Sequence, residues 1–191
     1  MKILQALVLG TFFVIVGALV TLFALGLRPG ANSMRSTITV ARPPAAVWRW
    51  VTEPARLARW VSWLAEVKQD TVTVQGVGSR QTWVLAEPGM RDRVRMTATV
   101  AEQDAPHLRR VHVRTPGMFD GDYTYTLTPV DGGTRLEQSV RFHYDVWIAR
   151  LMEPLVTPQA RRTLAGDQAT LKRLAETEPE PAGPAGGRRL Q

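Results

Sequence analysis

GDYTYTLTPVDGGTRLEQSVRFHY, residues 121–144, alternates side-chain character on both sides of Asp131-Gly132-Gly133. Tyr123, Tyr125 and Leu127 share one phase before the break. Leu136, Gln138, Val140, Phe142 and Tyr144 share one phase after it. A period of two places such residues on one face of a strand. Asp-Gly tolerates the positive φ angles of a tight turn, so the stretch predicts an antiparallel hairpin.

The same period runs upstream. Val67–Gln75, Ser79–Ala86, Asp92–Gln103 and Leu108–Thr115 read as strands, separated by Gly76-Val77-Gly78, Glu87-Pro88-Gly89, Asp104-Ala105-Pro106 and Pro116-Gly117. Short turns between neighbours make antiparallel pairs. An earlier strand, Ser36–Val40, runs into Pro43-Pro44, and Pro44 suits the first turn of a helix. In that helix Val47, Trp48 and Val51 fall on one face. Thr52-Glu53-Pro54 breaks it and starts a second, ARLARWVSWLAEV, with Leu57, Trp60, Val61 and Leu64 at helical spacing. Val146–Thr177 carries an apolar stripe through Ile148, Leu151, Met152, Leu155 and Val156, resumed at Leu164, Leu171, Leu174 and Ala175. Pro154 and Pro158 interrupt it, which predicts a kinked long helix or a short helix followed by a longer one.

The order is strand, two short helices, six strands, one long helix. That is an α+β domain in which a seven-stranded antiparallel sheet has one face to cover and one long helix to cover it.

The flanks differ in kind. Ile3–Leu27 is a run of 25 uncharged residues. As a helix it spans roughly 37 Å at about 1.5 Å per residue, against a hydrocarbon core of about 30 Å. It reads as a retained single-pass anchor (residues 1–27). A cleaved signal is the competing reading, but its apolar stretch is shorter, about 7–15 residues. Lys2 on one side and Arg28, Arg35 and Arg42 on the other leave the orientation open. Residues 28–33 read as a linker, 34–177 as the domain, and 178–191, rich in Pro, Gly and charge, as a disordered tail. The net charge of +7 suits anionic partners such as lipid headgroups. Absence of Cys removes thiol chemistry and any need for an oxidising compartment.

The element order and several segments resemble the START-like, or SRPBCC, helix-grip superfamily, close to its polyketide cyclase/dehydrase and lipid-transport group. Ile38 to Trp48 resembles the family's first strand and Pro-initiated helix, and Thr52-Glu53-Pro54 with Trp60 its second helix. Tyr123 to Pro129 with Gly132 to Leu136 resembles its penultimate hairpin, and Asp167 to Leu174 the end of its terminal helix. The resemblance covers residues 34–177. It implies a sheet that grips the helix with a ligand held between them. Members carry lipids, hormones or polyketides, and some catalyse cyclisation, so the fold does not choose a function. The two helix prolines and the anchor depart from the family pattern.

Given that arrangement, strand phase names the inward residues. They are Gln81, Trp83 and Leu85, then Val94, Met96, Ala98 and Val100, then Val111 and Val113, with the hairpin set above and Leu151, Met152 and Leu155 from the helix. Trp83, Met96, Tyr123, Tyr125, Gln138, Phe142, Tyr144 and Met152 are the candidate ligand-binding residues, a mostly apolar set with a few polar atoms. A filled core is the plainer reading of the same residues. Gln138 interrupts an apolar phase, so it either pairs with a tyrosine hydroxyl or faces a ligand or cavity water.

No catalytic or metal-binding constellation stands out, and no cofactor is implied. His107, His112 and His143 are not spaced as metal ligands, and Ser62 and Ser139 have no evident His partner. Arg91, Arg93 and Arg95, then Arg110, His112 and Arg114, then Arg135 and Arg141 alternate on the outward phase. They read as a solvated face or as a surface for anionic phospholipid headgroups. Exposed aromatics for base stacking do not accompany them, which argues against nucleic acid. The reading favoured by the sequence is a membrane-anchored binding domain for a hydrophobic small molecule or lipid. The alternatives are a cyclase/dehydrase-like enzyme and a ligand-free protein-interaction domain.

Overall fold

The computed structural model describes the backbone over residues 2–26, 32–70, 76–86, 94–145 and 147–178. Strand β1 (Ser33–Val40) leads into helices α2 (Pro44–Thr52) and α3 (Pro54–Trp60), and a further helix, α1 (Lys2–Gly26), precedes it. Strands β2 (Leu64–Gln69), β3 (Arg80–Leu85), β4 (Arg95–Asp104), β5 (Leu108–Thr115), β6 (Phe119–Val130) and β7 (Gly133–Tyr144) follow, then α4 (Trp147–Thr177). The strands form one antiparallel sheet in the order β1-β7-β6-β5-β4-β3-β2. This is the helix-grip α+β architecture that the sequence predicts.

The hairpin that anchors the reading closes as expected. Tyr123 faces Val140, Tyr125 faces Gln138 and Leu127 faces Leu136, and Gly132 turns the chain with φ +78°. Gly133 admits no side chain: a Cβ there would meet Val40 O at 2.1 Å, because β1 ends directly beside the turn.

Two local expectations need correction. The second helix does not run on to Val67. It ends at Trp60, and Leu64 already lies on β2, where it is buried. Leu57, Trp60, Val61 and Leu64 do share helical spacing and all join the core, but only the first two do so from α3, so the period carries no helix beyond Trp60. On α2 the buried tryptophan is Trp50 rather than Trp48, which is only partly buried. Arg56 and Arg59 both lie over the Trp50 ring, 4.9 and 5.5 Å from its centroid. Pro154 and Pro158 leave the terminal segment as one long helix, one of its two expected forms. Both sit within the one helix α4. β1 begins at Ser33, the last residue assigned to the linker, and the expected strand residues 71–75 lie outside the described residues.

The side chains of α1 are described over residues 9–24, and nearly all are exposed, Phe12, Phe13 and Val14 among them. Among the described residues, no helix is long and apolar enough to cross a membrane. The expected span is therefore not a feature of the described structure. Of the expected tail, residues 178–191, Glu178 is described and pairs with Arg59, and residues 179–191 lie outside the described structure.

The two halves of α4 behave differently. Its C-terminal half packs into a solid core: Leu171 is fully buried and Ala175 nearly so, with Val40, Val47, Val51, Leu127 and Leu136. Its last turn is held by the strand-to-helix corner after β1. Arg42 Nε donates to Ala175 O at 3.0 Å and Arg42 Nη2 to Glu176 O at 2.8 Å. The Ala41 amide donates to Glu176 Oε1 at 2.7 Å, and Arg59 pairs with Glu178. The Arg42 donors satisfy carbonyls that a helix end leaves without partners, and the other two hold acidic side chains of the same turn and the residue after it. Replacing Arg42 with Met keeps the stem and removes the donors. Urea titration should show the domain destabilised by about 2 kcal/mol, the usual size for hydrogen bonds from a charged group. An unchanged midpoint would mean the clamp is not what fixes α4.

Candidate functional site: a cavity between the sheet and the first half of α4

Where the packing of α4 loosens, a cavity of about 490 Å³ opens between the helix and the sheet. α4 contributes Val156, Gln159, Ala160, Thr163, Leu164 and Asp167, positions that recur on one helical face. Several of these are small or polar, so they do not reach across to the strands. The sheet contributes Trp83, Leu85, Met96, Phe119, Tyr123, Tyr125, Gln138, Val140 and Phe142. Met34, Trp60, Val61 and Trp63 complete the wall.

Aromatic rings dominate. Trp83 and Tyr123 lie 5.7 Å apart, Trp63 is 5.9 Å from Tyr123, and Phe142 is 5.7 Å from Tyr123. Trp60 and Tyr125 meet edge to face at 6.5 Å. Edge-to-face and tilted pairs at such separations are mutually stabilising, so the wall is stiff without being filled. The indole N–H groups of two tryptophans are used elsewhere. Trp60 Nε1 donates to Trp50 O at 2.9 Å. Trp83 Nε1 donates to Gln81 Oε1 at 3.0 Å, and Gln81 Nε2 in turn donates to Gln69 Oε1.

The polar groups are few. Gln138 does not pair with a tyrosine. Its Oε1 accepts from Gln168 Nε2 at a long 3.5 Å, and Gln168 also donates to Ser36 O at 3.3 Å. Gln168 Oε1 is buried with no partner among the described residues. Burial raises the hydroxyl pKa values of Tyr123 and Tyr125 above the ordinary tyrosine range, so both are neutral donors. Asp167 is 5 % exposed, and its Oδ1 accepts the Ser62 amide at 3.1 Å. Removal from water pushes its carboxyl above the usual range, against the opposing pull of the Ser62 hydrogen bonds.

Six of the eight residues expected at the site, Trp83, Met96, Tyr123, Tyr125, Gln138 and Phe142, are brought together on this wall. Tyr144 is not on it. It is half-buried beside Phe119 and Phe142 at the sheet margin. The Met152 side chain lies outside the described residues, as do those of Leu151 and Leu155. Asp167 was missed because the helix was read for its apolar stripe alone. Its spacing from Leu164 and Leu171 places it on that stripe and was the available signal. Arg109, on β5, was missed because a charged residue on a strand reads as an outward one. It shares the inward phase of Val111 and Val113, faces Tyr125 across the ladder, and is buried, which lowers its pKa. Its Nε has no partner among the described residues, yet it is not part of the cavity wall.

The outer face of the sheet carries a groove of about 530 Å³ with Arg35, Arg110, Arg141 and Arg161 among its walls. Two of these are partly neutralised, Arg35 by Glu137 at 3.4 Å and Arg110 by Glu102 at 3.1 Å. His112 pairs with Asp122 at 3.2 Å. Arg95, Arg114 and Arg135 are exposed, and Arg91 and Arg93 lie outside the described residues. Among the described residues no cluster of three His, Cys, Asp or Glu is placed to hold a metal ion.

Residues 32–176 match the family model described as polyketide cyclase / dehydrase and lipid transport, and the chain belongs to that family. No curated protein matches. Among solved structures, protein CV1439 from Chromobacterium violaceum superposes with a TM-score of 0.62 at 18% identity, over 77% of this chain and 99% of that one. A protein from Thermus thermophilus, TTHA0849, gives 0.60 at 18%, over 75% and 96%. Ara h 8.0201 gives 0.58 at 13%, over 76% and 98%. At these identities the likeness is one of fold.

The Asp167 carboxyl provides a test of the site's electrostatics. Its pKa is raised on folding above the value of 3.8. Above that value the unfolded chain ionises first, so stability falls as pH rises toward the folded pKa. Asp167→Asn keeps the acceptor for Ser62 and removes the charge. It should raise the melting temperature at pH 7, with the gain shrinking as pH falls through the raised folded pKa and gone below about 4, the ordinary carboxylate range. A destabilised variant at pH 7 would show that the carboxylate is structurally required.

Proposed function

We propose that this protein binds a hydrophobic small molecule or lipid in the cavity between the sheet and α4, and that it does so at a membrane. The cavity itself carries the reading. It is apolar and aromatic with a handful of convergent polar groups, and its volume suits a small organic ligand. Family membership supports a hydrophobic cargo.

The membrane part rests on Ile3–Leu27, the uncharged run that the sequence presents as an anchor. The exposed apolar side chains of α1 support it, since a helix with Phe12, Phe13, Ile15 and Val20 uncovered is unfavourable in water. Anionic headgroups are the partner we assign to the outer groove, where each basic side chain near such a surface contributes about 1 kcal/mol. Anchoring shortens the path between the bilayer and the cavity, which is what a carrier of poorly soluble molecules requires.

The test uses the full chain, purified in lipid nanodiscs and extracted for mass spectrometry beside an Ala160→Phe variant. Ala160 faces the cavity from α4, so the added ring fills space without touching the clamp at the helix end. An apolar compound enriched about one to one in the wild type and lost in the variant is expected. Equal recovery from both proteins, or none from either, overturns the reading.

A further inference from the structure

Among the described residues one acid and no base stands in the cavity wall, in a chain whose net charge is +7. We propose that the cavity selects a hydrophobic ammonium compound, whose cationic head lies against Asp167 and the faces of Trp60, Trp63, Trp83 and Tyr123. This rests on the reading of the cavity as a ligand site and names the chemistry it takes.

The first argument is charge. A buried carboxylate is costly unless a cation or several donors accompany it. Asp167 draws on the Ser62 donors, and among the described residues no Lys, Arg or His shares the cavity wall. The titratable groups on the sheet side of the wall are the Tyr123 and Tyr125 hydroxyls, which are neutral. A cation beside Asp167 favours the ionised form that burial opposes.

The second argument is the wall. Trp60 and Trp83 use their ring N–H groups on Trp50 O and Gln81 Oε1, so they present apolar ring to the cavity. Ammonium groups are attracted to such rings, most strongly to tryptophan, and the attraction grows when water is excluded. A cavity whose wall holds one carboxylate, three indoles and a phenol suits an alkylated ammonium better than a hydrated ion.

The third argument is exclusion. A fatty acid or other organic anion would meet Asp167 with no cation among the described residues of the wall to offset the repulsion. Arg109, the buried cation opposite Tyr125, lies outside that wall. The overall positive charge of the chain pulls the other way, toward anions. A preference for cations therefore has to originate in the cavity.

The experiment is isothermal titration of the full chain in zwitterionic nanodiscs, with empty nanodiscs subtracted. The probes are octyltrimethylammonium, octanol and octanoate, matched in chain length. Octyltrimethylammonium should bind at least about tenfold tighter than either the neutral or the anionic probe. Asp167→Asn should remove that advantage, and Trp63→Leu should weaken the ammonium more than the alcohol. Octanoate binding as tightly as the ammonium, or an Asp167→Asn variant with unchanged preference, overturns the proposal while octanol binding keeps the cavity reading intact. Failure of all three probes overturns both.

Discussion

The arrangement depends on α4 being fastened at one end. Arg42, Ala41 and Arg59 grip the carbonyls and acids around its last turn, and Leu171 and Ala175 sink into the core beside them. A sheet of seven strands curls, so a helix fixed at one end stands away from the strands at the other. The side chains there decide what happens to the gap. Gln159, Ala160 and Thr163 are too short or too polar to close it, and the result is a cavity rather than a second layer of core. Leucines at those positions would give the same fold with a filled interior.

A gap in an apolar interior loses dispersion contacts on its lining, so an empty cavity of this size is a standing cost to the fold. The aromatic pairs around Tyr123 limit that cost by bracing each other across the wall. The polar groups add to it. Asp167, the two tyrosine hydroxyls and the orphaned carbonyl of Gln168 all give up water on burial. Such groups are the natural places for a ligand's polar atoms to engage, and their stability cost in the empty protein is what makes them informative.

Most of the fold was legible because the hairpin and its neighbours obey a strict period of two with clear turn chemistry between them. The β5 limits, Leu108–Thr115, and the inward phases of β4 to β7 follow directly from that pattern. The reading failed where one apolar spacing is served by two elements. Leu57 and Trp60 belong to α3 while Leu64 belongs to β2, and nothing local distinguishes them. The tryptophan pair on α2 failed similarly: Trp48 and Trp50 are both apolar, and only the packing of α2 in the folded domain selects Trp50 for burial. At the site, apolar residues and Gln138 were found by phase. Asp167 and Arg109 were overlooked because a charged residue was taken as a sign of the exposed face. Both sit in buried phase, and that conflict between charge and position was itself the clue.

A crystal structure of the protein purified under native conditions, without added ligand or exchange of bound material, tests the central claim most directly. The account predicts elongated density between Trp83, Met96 and Tyr123 on the sheet and Ala160 and Leu164 on α4, with those side chains held apart. A structure in which Leu164 and the α4 residues before it pack directly onto Trp83 and Met96, leaving no space and no density, would contradict it.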